Sequence, residues 1–594
     1  MIECGGLLRP GNTVVKAVER MLRTGGALLA AGLMCAGAAR AQHAVPAALP
    51  TESPAQPLIA APAPARATAT ASAPGALVKL PTWAELEAAG ATFGQVRIVN
   101  RQIFDTTDPQ EDYRLFQWAN ALHIQTRPGV IARALLFKSG DRVSVQKIEE
   151  SERLLLGNRY LYDLQFRPTA YRGGVVDVDV LTRDTWSLDL GVKASRSGGT
   201  NSTGLQIREY NLLGTGMSMS LGRSSDVDRS SNEFQFANER AFGSLVSVGY
   251  SHATNSDGRS DAVSIVRPFY ALDARWAAGV SASRYNRIDA RYNAGEVVAE
   301  YRHRKGFAEA FGGWSQGLVG GWVQRYSLGL RREEDAFTTE PGRVAPARLP
   351  TDQTLVGPFV RYELIEDRFQ KEVNRNLIGR PEFFALGQTS TVQVGLASTA
   401  LGSSLNALLY AASISRGFAP APGQTLLVSG QVAGQFADGQ VRRQQLGGHL
   451  QYYRPQSLRW LLYAAASADV LSHPDTQQTL LLGGDNGLRG YPLRYQGGTR
   501  RALFTVEERY YTDWYLWRLF RFGGAAFADV GRAWGGANTN IANPGWLADV
   551  GIGLRIISSR SAFGNVLHLD LAVPLKTTPG IQRAQFLVTS KTSF

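Results

Sequence analysis

Several short patterns in this chain could carry chemistry. Gly313 to Gly317 read "GWSQG". That matches the nucleophile elbow G-x-S-x-G, in which Ser315 would attack an acyl group. An elbow needs a helix after the serine, and the residues that follow, "LVGGWVQRYSLGL", alternate as a second strand does. With 63 glycines in the chain, composition alone accounts for the match. The histidines (His43, His123, His252, His303, His449, His473 and His568) show no H-E-x-x-H or other metal-ligand spacing. The sequence therefore calls for no metal, no cofactor and no enzyme. "GGDNGLRGYP", residues 483 to 492, lacks the G-K-[ST] of a phosphate loop and the repeated Asx ligands of a calcium loop. It holds instead one arginine, Arg489, among glycines.

An arginine folded into a crowded interior needs carboxylates for its planar fork. Two acids downstream have the right parity. "ALFTVEERYY" puts Glu507 on the face of Thr505, opposite Phe504 and Val506. "AAFADVGRAW" puts Asp529 opposite Ala528 and Val530. Both point inward if the small and apolar partners point outward.

Those acids sit on strands. From residue 187 to 594 no long helix is signalled, and segments of roughly ten residues alternate in polarity. In "DVGIGLRI", Val550, Ile552, Leu554 and Ile556 oppose Asp549, Gly551, Gly553 and Arg555. In "LHLDLAV", Leu567, Leu569, Leu571 and Val573 oppose His568, Asp570 and Ala572. Apolar outside and polar inside is the signature of a transmembrane antiparallel β-barrel. The aromatic cluster "YYTDWYLWRLFRF" reads as an interfacial girdle, because Arg518 and Arg521 are interleaved and must stay hydrated. Phe586, Val588 and the terminal Phe594 suit a last, lipid-facing strand. At roughly 25 residues per strand and connection, about 16 strands are expected.

The preceding regions differ. Residues 1–41 carry a secretory signal: Arg20 and Arg23, a short apolar run, then Ala39-Arg40-Ala41 before Gln42. Met21 could be the start, since everything the signal needs follows it. Both cysteines, Cys4 and Cys35, lie in this leader, so no disulfide framework is expected. Residues 42–92 form an Ala/Pro-rich linker ending in one short helix. Residues 93–186 signal a small α+β domain of order β-α-α-β-β, with Ser144 capping a helix that Gly157 ends. It is either a structural spacer or a receptor whose open strand edge takes up another chain. Hydrophobic residues make up 44% of the chain and charged ones 19%, too apolar for disorder. The net charge of +13 is spread with no run of five like charges, so no nucleic-acid partner is expected.

The arginine loop and the two acidic strands together resemble the bacterial surface antigen group, the BamA/TamA family of outer-membrane proteins. By that resemblance, Arg489-Gly490-Tyr491 is the tip of the family's sixth extracellular loop, folded back into the barrel. Glu507 would be its counter-charge, together with Asp529 within a Phe-x-Asp-x-Gly motif (Phe527, Asp529, Gly531). Residues 93–186 resemble a periplasmic POTRA domain. The resemblance implies a bacterial outer-membrane location, outer-membrane lipid around the barrel, and insertion or translocation of an unfolded polypeptide client. A passive pore or surface protein with no client is the alternative. The chain departs from the family's pattern in showing one such domain where assembly factors carry several.

Overall fold

A computed structural model describes residues 80–594 except 242, 477, 537–543, 563, 578–579, 592 and 594. The signal peptide and Phe594 thus lie outside the described residues.

The described chain opens with α1 (Trp83–Ala88), started by a capping box. The Thr82 hydroxyl accepts the Glu85 N–H, and the Glu85 carboxylate accepts the Thr82 N–H at 2.6 Å. After β1 (Thr92–Arg101) come α2 (Arg114–Leu122), α3 (Pro128–Ala132) and α4 (Val145–Leu156), then β2 (Leu161–Arg172) and β3 (Val175–Asp184). Pro128 starts α3, where its missing N–H costs nothing, and Ser144 caps α4. The sheet order is β1-β3-β2, with β1 parallel and β2 antiparallel to the central strand. Val176 and Val178 turn inward onto Phe93 and Ile148, and Val180 onto Leu155. On the other face Asp179 holds Arg97 at 2.6 Å. The helix α2 carries no sequence signal of its start: its cap residue, Tyr113, makes no side-chain cap. Most of its apolar residues also face away from the core.

From Leu188 to Lys591 the chain forms one closed antiparallel barrel of 20 strands, not about 16. The expectation allowed too much chain for each connection. Many strands are joined by two residues only, as at Gly198-Gly199, Ala294-Gly295, Gly320-Gly321 and Asp438-Gly439. Glycines at positive φ in each pair permit turns this tight. The alternation places side chains as expected for a bilayer. Val550, Ile552, Leu571 and Val573 are exposed outward, while Asp549, Arg555, His568 and Asp570 are buried inside. The aromatic cluster divides: Trp514 and Trp517 are exposed, but Tyr511 is buried in the lumen.

The small domain is bolted to turns at one end of the barrel, called proximal below. Glu111 pairs with Arg560. The Asn211 amide donates to the Thr126 hydroxyl at 2.8 Å. The Glu150 carboxylate on α4 accepts the Leu272 N–H at 2.7 Å, and Arg153 meets Asp367 at 3.3 Å.

Burial raises the Glu150 pKa above the ordinary carboxylate value, against the Leu272 and Gln146 hydrogen bonds that lower it. An acid raised in the folded state stabilises docking below its unfolded pKa and loses that contribution as pH rises through its folded pKa. Hydrogen exchange across α4 should therefore accelerate with pH through that window, beyond the intrinsic chemical trend. Glu150→Gln, which keeps an acceptor for Leu272, should flatten the excess. A wild-type pH dependence in that variant would remove Glu150 as its source.

Candidate functional site

The strands Trp460–Ser472 and Arg500–Leu516 are joined at the distal end by residues 473–499. This connection turns back into the barrel instead of standing in solvent. A short antiparallel pair, Leu480–Leu482 with Gln496–Gly498, closes its base. Leu482, Leu488 and Tyr491 are fully buried with Ala533 and Leu547. Asn486 braces the turn, accepting the Gly483 N–H at 2.6 Å and donating to the Leu481 carbonyl at 2.9 Å. The four glycines of "GGDNGLRGYP" leave no room for a Cβ. At Gly483 and Gly484 it would meet backbone, 2.3 Å from the Pro492 carbonyl oxygen and 2.5 Å from that of Tyr491. Gly487 has φ +130°, and a Cβ there would lie 2.1 Å from Leu503 Cδ2. A Cβ on Gly490 would lie 2.7 Å from Asp549 Cβ. Gly531 opens room beneath the loop, since its Cβ would stand 3.0 Å from Leu482 Cδ2.

This packing delivers Arg489 to the acidic strands. Its Nε and Nη2 donate to Asp529 Oδ2 and Oδ1 at 2.6 and 2.9 Å, a bidentate fork. Nη1 donates to Glu507 Oε1 at 2.9 Å, and Asp570 adds charge at 3.9 Å. The Phe527 ring lies 3.3 Å from Arg489 Cζ. Arg489 is 6% exposed, Glu507 5% and Asp529 1%. Thr505 completes Asp529 with a hydroxyl donor at 2.8 Å. The Tyr491 hydroxyl donates to the Ala548 carbonyl at 3.0 Å. The structure thus brings together Arg489, Gly490, Tyr491, Glu507, Phe527, Asp529 and Gly531. The loop is the eighth on the distal side, not the sixth. Five strands follow it, so the additional strands lie ahead of it.

Glu507 is shared. Its Oε2 accepts from Arg509 Nε at 2.9 Å, and Arg509 lies 3.8 Å from the Tyr463 ring centre. Arg509 Nη1 and the Tyr511 hydroxyl both donate to the Arg375 carbonyl, at 2.8 and 3.1 Å. Arg375 belongs to a second insert that the sequence reading missed. Residues 367–388, between the strands Gln353–Glu366 and Thr389–Ala397, form a hairpin of Phe369–Val373 and Pro381–Ala385. It rises into the lumen from the proximal end. Leu377, Ile378, Phe384 and Leu386 pack on Tyr453, Tyr463 and Tyr511. The Glu382 carboxylate pins its tip, accepting the N–H groups of Arg375, Asn376 and Leu377 at 3.2, 2.8 and 2.9 Å. A signal was available: "NRNLIGRPEFF" breaks the barrel alternation and has a proline where an interior strand needs a donor.

Beyond the inserts the lumen keeps a cavity of about 1560 Å³ lined by Asp289, Arg287, His303, Asp335, Arg443 and Arg494. His303 bridges Asp289 at 2.7 Å and Asp335 at 3.0 Å. Ser315 lies elsewhere, buried within the strand Glu296–Val319, and its hydroxyl accepts the Gly317 N–H at 2.9 Å. The chain continues as strand, turn and strand, so Ser315 has no nucleophile elbow.

The closure of the barrel is uneven. The last strand, Gln585–Lys591, meets its predecessor along seven register pairs, and the first, Leu188–Ser197, meets its successor along ten. First and last meet each other through one described pair, Val588 opposite Arg196.

Residues 211–591 match the Omp85 superfamily domain. No curated protein sequence matches the chain. Among solved structures it is similar to BamA from Haemophilus ducreyi lacking POTRA domains 1–3, at 12% identity and TM-score 0.39 over 84% of both chains. It is similar to CdiB from Escherichia coli at 13% identity and TM-score 0.44, over 85% of this chain and 77% of that one. It is also similar to the FrpB iron transporter from Neisseria meningitidis at 10% identity and TM-score 0.36, over 72% and 87%.

Arg489→Ala leaves two buried carboxylates without their shared cation and should destabilise the barrel by about 3–5 kcal/mol. The readout is the urea midpoint in detergent and heat-modifiable migration. Arg489→Lys should recover little, because an ammonium cannot fork to both acids. Adding Glu507→Gln and Asp529→Asn to Arg489→Ala should recover part of the loss. An unchanged midpoint for Arg489→Ala would remove the ion pairs as a stabilising element. Replacing residues 369–385 by a short Gly-Ser link should raise single-channel conductance in planar bilayers. Unaltered conductance would mean the hairpin does not obstruct the lumen.

Proposed function

The chain belongs to the Omp85 superfamily and is an outer-membrane β-barrel, and we propose that it assists the insertion or translocation of polypeptides there. The observation that carries this reading is the seam between the first and last strands. Each backbone hydrogen bond contributes about 0.5–1.5 kcal/mol net. A junction with one register pair among the described residues is, in this reading, the cheapest place for the barrel wall to open sideways.

In this reading the unit of residues 93–186 is a POTRA-like domain in the periplasm. The outer edge of β2 is unpaired among the described residues, which suits capture of an unfolded client by strand addition. The client then passes to the seam or the lumen. The Arg489 loop acts as a latch on the wall strands that carry Glu507 and Asp529, and the hairpin blocks the lumen from below. The mechanism is non-covalent: edges pair, the seam parts and closes, and no bond in the client is made or broken. A passive pore is the second reading, supported by the mixed-charge cavity at the distal end.

The two readings separate under a crosslink. Val588 and Arg196 are antiparallel register partners, within the Cα range that a disulfide spans. The double variant Val588→Cys/Arg196→Cys, oxidised, should lose client insertion or secretion while keeping a folded barrel, and reductant should restore it. Normal activity of the locked barrel would exclude the seam. Deleting residues 93–186 should deplete a subset of outer-membrane or secreted proteins. Unchanged proteomes would favour the passive pore.

A further inference from the structure

We propose that α2 is an interfacial anchor: its Leu115–Trp118–Leu122 face lies in the proximal leaflet of the bilayer, against phospholipid. The inference rests only on the barrel being in a membrane, not on a client.

The roll of α2 about its axis is set by its inner side. Phe116 stacks on Phe104 with ring centres 3.9 Å apart. The Asn120 amide takes both backbone groups of Phe104, accepting its N–H at 3.1 Å and donating to its carbonyl at 2.9 Å. With that side fixed, Leu115, Trp118 and Leu122 stand outward at i, i+3 and i+7, exposed by 64%, 64% and 73%. Tyr113 and Ile124 extend the apolar strip at both ends and are also exposed. The remaining arc is Arg114, Gln117 and Ala121, so the helix carries one charge. A contiguous apolar face of this kind marks an interaction surface.

What covers it follows from where α2 is fastened. Its Phe116 forms one cluster with Ile103 and Phe104, against which Leu519 packs, in the turn between the strands Arg500–Leu516 and Phe520–Trp534. The end of the first of these strands and the turn carry the exposed girdle residues Trp514, Leu516 and Trp517, below the outward-facing Phe504 and Val506 of the same strand. Glu111, just ahead of α2, is paired with Arg560 of the next proximal turn. The apolar strip is thereby held beside the lipid-facing belt at the level where tryptophans meet headgroups. Nine residues make a helix of about 14 Å, too short to cross a bilayer and suited to lying along its surface.

The test uses the full chain with Cys4→Ser and Cys35→Ser, folded by heat-modifiable migration. Single cysteines at Trp118→Cys, Leu122→Cys or Gln117→Cys carry an environment-sensitive fluorophore. Each protein is reconstituted in phosphatidylcholine vesicles with and without nitroxide-bearing lipid. Preparations are those in which a label at Phe504→Cys is quenched, which certifies that the barrel is in the bilayer. The labels at 118 and 122 should be blue-shifted and quenched severalfold more strongly than the label at 117. Equal quenching at all three positions overturns the proposal. So does a blue-shifted label at 118 that nitroxide lipid does not quench, the result expected if protein covers this face.

Discussion

A guanidinium that has lost its water must find carboxylates, and Arg489 is the residue on which this lumen is organised. Its fork takes Asp529 through two nitrogens and Glu507 through a third, with the Phe527 ring against its face. Burying that charge alone would be prohibitive. The loop that carries it therefore has one good position, and the strands bearing the acids are held in register by the same contacts. The glycines follow from this constraint: the backbone must approach Asp549 and Leu503 too closely for side chains at 490 and 487.

A barrel of 20 strands is wide. Lumen width grows with strand number, and at this size side chains alone cannot fill it. Two inserts fill part of it from opposite ends, the arginine loop from the distal side and the hairpin of residues 367–388 from the proximal side. They are joined by few atoms. Glu507 gives one oxygen to Arg489 and the other to Arg509, and Arg509 reaches the hairpin through the Arg375 carbonyl. The two inserts are thereby linked through the Glu507 carboxylate and Arg509.

Stability is distributed unequally around the wall. Interior strands meet along long ladders, whereas the first and last strands share one register pair among the described residues, Val588 opposite Arg196. The small domain adds rigidity at the proximal end, where Glu111, Glu150 and Arg153 reach three different turns of the barrel. Among the described residues the wall thus has one seam with far fewer ladder pairs than its other junctions, around a lumen that the two inserts fill in part.

Much of this was legible in the sequence. Period-two alternation in segments such as "DVGIGLRI" determined that these were strands and which face was polar, because side chains on a strand alternate by geometry. The same parity assigned Glu507 and Asp529 to the interior, and "GGDNGLRGYP" advertised a lone arginine needing partners. Strand number was not legible, because it depends on how tightly each turn closes. The hairpin was legible only as a break in the alternation at "NRNLIGRPEFF", not as a segment that enters the lumen. Its Leu377, Ile378 and Phe384 gain their meaning from Tyr453 and Tyr511, far along the chain, and no local period reports such a contact. The same holds for α2, whose apolar face is exposed among the described residues and whose start has no side-chain cap. By itself the sequence determined local geometry: strand, face and the need for counter-charge. Tertiary structure alone decided how many strands close the ring, what fills it, and where the ring is weakest. Those are properties of closure, and closure couples residues that the sequence keeps hundreds of positions apart.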